Sequence, residues 1–66
     1  MNLIEKAKIR INHWIQHNES HEGEYKSFAE ELQAAGHAEC ARQVLETAKL
    51  TSQGSEALRR ALKAIE

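Results

Sequence analysis

Two apolar repeats of seven residues run through the chain and change phase at Ala34-Ala35-Gly36-His37. In the first, positions a are Ile4, Ile11, Asn18, Tyr25 and Leu32, and positions d are Ala7, Trp14, His21, Phe28 and Ala35. In the second, positions a are Ala41, Ala48, Ser55 and Leu62, and positions d are Val44, Thr51, Leu58 and Ile65. A repeat of this kind keeps one stripe of an α-helix apolar. The chain has no proline, and Gly23 and Gly54 fall inside the repeats rather than between them. Gly36 suits the left-handed residue that ends a helix. The expected fold is all-α: a long antiparallel helical hairpin, with helices over about 2–35 and 38–65, in a single domain spanning residues 1–66. The competing expectation breaks the first helix near Gly23 and gives a compact three-helix arrangement.

Size then raises the question of stability. A chain of 66 residues buries only a thin core, and ten of these residues are alanine. Small helical domains gain stability from disulfides, metal or self-association. Cys40 is the only cysteine, so no internal disulfide can form. A lone cysteine, a charged N-terminal segment and no apolar run of membrane length give the expectation of a cytoplasmic protein with no membrane partner. A two-helix hairpin cannot cover both seams alone, so the expected assembly is a homodimer forming a four-helix bundle.

Charge gives that dimer a direction. Residues 1–17 and 57–66 share the open end of the hairpin and together sum to +4, while the loop end sums to −5. An antiparallel partner lays each basic end on an acidic end. Exposed pairs add little affinity, but they select orientation. Folding at the turn also places Asn18 level with Ser55, and His21 level with Thr51 or Ser52. The polar entries of both seams thus meet in one layer, which is either a register device or a site.

The histidines bear on that choice. His13, His17 and His21 recur every fourth residue, so successive rings sit one helical turn apart, about 6 Å along the axis. Neighbours can share one ion; the outer two, about 12 Å apart, cannot. His21 is at d and His17 at the flanking g, so this pair is the expected metal-ligating set, with His13 peripheral. An antiparallel dimer with its two-fold axis near residue 19 brings four imidazoles together, a donor set for zinc or for nickel or copper. Glu22 and Glu24 stand close enough in sequence to complete a site or orient a ring. His37 is read as part of the turn, Cys40 as a small, partly buried residue of the second helix, and Trp14 and Phe28 as core packing.

Several chemistries lack their residues. His21-Glu22 is not followed by the histidine of an HExxH zinc motif, and Asn18 stands where a di-iron carboxylate bundle needs glutamate. There is no glycine-rich phosphate loop and no nucleophile beside a histidine base. The expectation is a non-enzyme: a small transition-metal-binding protein concerned with metal handling or sensing, with nickel or zinc as cofactor. The alternative is a non-catalytic interaction or adaptor module for a partner protein, in which the histidines are structural. An RNA-binding dimer is one form of it, with Lys6, Lys8, Arg10, Arg59, Arg60 and Lys63 as the phosphate-facing patch. The net charge of −1 argues against broad nucleic-acid binding.

The stretch HWIQHNESHEGEYKSFAEELQAAGHAECARQVLETAKL resembles a family of short prokaryotic helical domains of uncharacterised activity, which read approximately HWIEHNxxHxxxFxxWAxxAxxAGxxxVAxxIxxAAxL. The similarity covers roughly residues 10–66 and is most specific over His13-Trp14-Ile15-x-His17-Asn18-x-x-His21. Phe28 stands where that family has tryptophan, and Gly23 where better helix formers are usual. The resemblance implies a helical domain with His13, His17 and His21 as its functional set. It also implies a link to small proteins associated with nickel or other transition metals.

Overall fold

A computed structural model describes residues 1–66. Two helices account for nearly the whole chain: α1, Leu3–Ala34, and α2, Ala38–Ala64. They pack along their length as a hairpin with extents of 51 × 16 × 11 Å, and there are no strands. Neither helix is long and apolar enough to cross a membrane.

The ends of the helices follow from local chemistry. Asn2 caps α1, its side-chain oxygen accepting from the Glu5 backbone N–H at 2.8 Å. This satisfies one of the donors left free in a first turn. At the other end Gly36 adopts φ +88°, the conformation that an L side chain resists. The His37 N–H then reaches back to the Leu32 carbonyl at 2.9 Å, and the Gly36 N–H to that of Gln33 at 3.1 Å. These are the two bonds of a Schellman stop, and they reverse the chain within three residues. His37 starts α2 without a side-chain cap bond. Glu39 lies in the first turn and Lys63 in the last, each favourable to the peptide dipole at its end. Hydrogen bonds from Arg42, then Gln43, hold the exposed Glu39 carboxyl below its ordinary range.

α1 continues through Gly23 as expected, and the break of the competing three-helix arrangement does not occur. A Cβ built on Gly23 meets nothing within 4 Å. Gly23→Ala should therefore stabilise the fold by roughly 0.5–1 kcal/mol through the entropy of the unfolded chain. A urea midpoint that falls instead of rising would mean that the backbone needs glycine there.

The seam differs from the sequence expectation on one side only. In α2 the expected residues face inward: Ala41 and Ala48 are buried at 1% exposure and Ser55 at 2%, with Val44, Thr51, Leu58 and Leu62 half-buried. In α1 the a positions 11, 18, 25 and 32 also turn inward, with Ile4 exposed at the open end, but the most buried residues beside them are at e, while the d residues Ala7 and His21 are only half-buried. Ile15 and Ala29 are buried at e, whereas Trp14 and Phe28 are 46% and 55% exposed. With 3.6 residues per turn, e lies about 40° to one side of a and d about 60° to the other. One neighbouring helix can be centred on only one of those gaps. The small α2 residues at 41, 48 and 55 draw the α1 backbone close, and small Ala29 fits that approach where Phe28 would not.

Two unlike broad faces result. On one, positions b and e of both helices bring charged residues together, and Glu19, Glu22, Lys26, Glu56 and Arg59 line an open groove of about 380 Å³. On the other, the α1 column Ala7, Trp14, His21, Phe28, Ala35 runs beside the α2 residues that precede each a position: Cys40, Thr47, Gly54 and Ala61. Neither column contains Asp, Glu, Lys or Arg.

Candidate functional site

The expected polar layer is present, but it is split between the two faces. Half-buried Asn18 and buried Ser55 lie in the seam. On the charged face Arg59 spans the helices to Glu19 at 2.9 Å and also pairs with Glu56 at 3.0 Å. Glu22 holds Lys26 at 2.7 Å, one turn on. The spacing of charges within each helix foretells the pairs one turn apart. The bond between Arg59 and Glu19 needed the rotated α1 seam, which the sequence did not reveal. It also engages one member of the expected basic patch, since Arg59 already serves two carboxylates.

The histidines occupy the uncharged face and its edge. α1 is a continuous helix over all of them, so their spacing becomes a column of rings. His13 and His17 have ring centroids 5.9 Å apart, His17 and His21 4.4 Å, and His21 and Tyr25 6.0 Å. The Nε2 atoms of His17 and His21 lie 3.0 Å apart. On the far side of its ring, His21 Nδ1 is 3.6 Å from Glu24 Oε1, so a carboxylate stands behind one of the two imidazoles. At this distance the two are charge neighbours and are not hydrogen-bonded.

Of the three expected ligands, two therefore converge and one does not. His13 stacks against His17 without joining its Nε2 pair. No group of three or more His, Cys, Asp or Glu side chains is arranged to hold a metal ion. Cys40 is exposed rather than partly buried, because it precedes Ala41 on the outer side of α2.

The separation of the Nε2 pair can be compared with coordination geometry. Two nitrogens each about 2.0–2.1 Å from one ion stand about 2.9 Å apart at a right angle and about 3.3 Å apart at a tetrahedral angle. The observed separation is 3.0 Å. It is also a hydrogen-bonding distance, in which the N–H of one neutral ring donates to the lone pair of the other.

Residues 7–65 match a family described as a domain of unknown function, DUF8180. The chain belongs to this family. The description assigns no activity, metal or partner. No curated protein and no solved structure matches the chain.

Proposed function

We propose that this DUF8180 protein is a small, non-catalytic, transition-metal-binding helical protein that works at or near a homodimer interface. His17 and His21 are its ligands, His13 is an outlying helper, and nickel or zinc is the ion. The observation that carries the reading is the convergence of two Nε2 atoms to 3.0 Å on one rigid helix, with Glu24 behind one ring. Two imidazoles fill half of a four-coordinate set. A second copy can provide the rest. Handling or sensing of the ion suits a site beside a dimer interface, where binding of the ion and association of the copies are linked.

The test is a thermal melt of untagged, chelator-treated protein with added nickel or zinc. Binding needs neutral imidazoles and stabilises only the folded form, so metal should raise the Tm at pH 7.5. At pH 5 protons compete with the ion for the ring nitrogens, and the effect should largely vanish. The double change His17→Ala and His21→Ala should abolish the shift, while His13→Ala should reduce it only in part. A Tm indifferent to every divalent transition metal would sink this proposal. The remaining reading is then an interaction module, favoured by the exposure of Trp14 and Phe28.

A further inference from the structure

We infer that the uncharged face is the surface on which a second copy of this chain docks, antiparallel, with the two-fold axis passing across His21. This deepens the dimer part of the proposed function, on which it rests, and does not depend on the metal part.

Area identifies the need for a partner. The chain exposes 4931 Å² at a mass of 7.5 kDa. A compact monomer of that mass exposes only about 4,250 Å², which leaves an excess of about 700 Å². A stable protein interface covers about 800 Å² on each partner. The hairpin is thus short of cover by roughly one such interface. Its opposite face is already occupied by ion pairs between its own side chains, and burying those charges would cost desolvation energy. On the face of Trp14, His21 and Phe28 the charges stand at the margin, with Lys6 and Arg10 beside Ala7 and Trp14 and Glu24 beside His21, and no ion pair joins the two helices there.

The sequence on that face is self-complementary. The α1 column reads alanine, aromatic, histidine, aromatic, alanine, and His21 is its midpoint. A two-fold axis crossing there sets Trp14 against Phe28 of the partner subunit, and Ala7 against Ala35 of the partner subunit. Edge or offset aromatic contact adds to the area buried. On the opposite, charged face Gly23 lines the groove together with Ser52 and Ser55, so this level of α1 matches α2 near Gly54, where its outer column is smallest. The axis that superposes the columns also reverses the hairpin. The end summing to +4 then lies on the partner's end summing to −5. The other stacking of the same faces puts like ends together and separates the two His21 side chains across the bundle.

The axis also brings the partner's copy of the imidazole pair next to the first. Residues 17 to 21 lie within one turn of the axis, so the partner's His21 is level with His21. Each Nε2 pair is centred near residue 19, two residues from the axis, so the two pairs lie about 6 Å apart along the bundle and the interface borders the candidate site.

Cross-linking tests face and register together. In a Cys40→Ser background, His21→Cys should form a disulfide-linked dimer under mild oxidation in the presence of chelator. Packed helix axes 8–10 Å apart bring facing Cα atoms within disulfide range. Lys26→Cys, on the charged face, should stay unlinked. A mixture of Trp14→Cys and Phe28→Cys chains in that background should link to each other far more than either links to itself. Light scattering of the unaltered protein should give twice the chain mass. A monomeric mass, absence of the His21→Cys link, or equal linking through Lys26→Cys would each overturn the inference. Linked dimers with no metal-dependent Tm would retire the metal proposal and leave this one standing. Metal binding by a protein that stays monomeric would do the reverse.

Discussion

Ala48→Leu should destabilise the protein by about 3 kcal/mol, at the upper end of what overpacking a well-filled site costs. Ala48 is 1% exposed and stands midway between Ala41 and Ser55 along the contact between α1 and α2. A leucine there adds three heavy atoms where the two helices meet. The helices must separate or the side chain must leave its rotamer. For a chain of this length the whole folding free energy is on the order of 3–10 kcal/mol, so this one change removes a large part of it. Glu46→Leu, two residues away on the exposed side, should shift stability by only about 0.5 kcal/mol or less. Urea unfolding at one fixed protein concentration measures both, because association would otherwise enter the comparison. A loss below about 1 kcal/mol for Ala48→Leu would mean that the helices are not held close by small residues.

Ser55→Ala should act in the opposite direction, raising stability by about 1 kcal/mol or somewhat more. The Ser55 Oγ is buried and has no hydrogen-bond partner. Thr47 and Thr51 avoid that position by donating to the carbonyls of Gln43 and Thr47, at 3.1 and 2.8 Å. An orphaned hydroxyl carries its desolvation cost without return, and alanine is also the better helix former. The change extends the small-residue line of Ala41 and Ala48 with no gain in bulk. Its readout is the urea midpoint, with the slope m unchanged. A lower midpoint would show that the hydroxyl is bonded in solution, and the polar layer would then be a register device at this position.

What was legible in the sequence divides by the kind of physics involved. Helix extent was legible because it is local. The cap at Asn2, the left-handed Gly36 and the long runs of good helix formers each act within a few residues. The inward face of α2 was legible because alanines and serine at seven-residue intervals leave one stripe where a neighbour can approach. The inward face of α1 was only half legible. Its a column was plain, but the choice between d and e depended on which flank the small α2 residues would draw in. Large aromatics at Trp14 and Phe28 pointed to d by hydrophobicity, whereas close approach selected Ile15 and Ala29 by size. The same rotation separated the histidines from the charged groove. The pairing of His17 with His21 was legible from spacing alone, and so was the distance of His13 from the far ring. The ion pair between Glu19 and Arg59 joins residues forty apart, and no local pattern specifies it.

The tight reversal at Gly36 also shapes the electric field around the molecule. Each helix carries a peptide macrodipole, positive at its N-terminus and negative at its C-terminus. Because α1 and α2 run in opposite directions over nearly equal lengths, the two macrodipoles largely cancel. The far field of the hairpin therefore belongs to its side chains, whose charge is divided between the ends of a body 51 Å long. Two such bodies meeting by diffusion experience a torque before they touch, and it turns them head to tail. That guidance extends about 10 Å at 0.1 M salt and about 3 Å at 1 M. Salt should accordingly slow the encounter of two copies far more than it loosens the pair once the uncharged faces have closed.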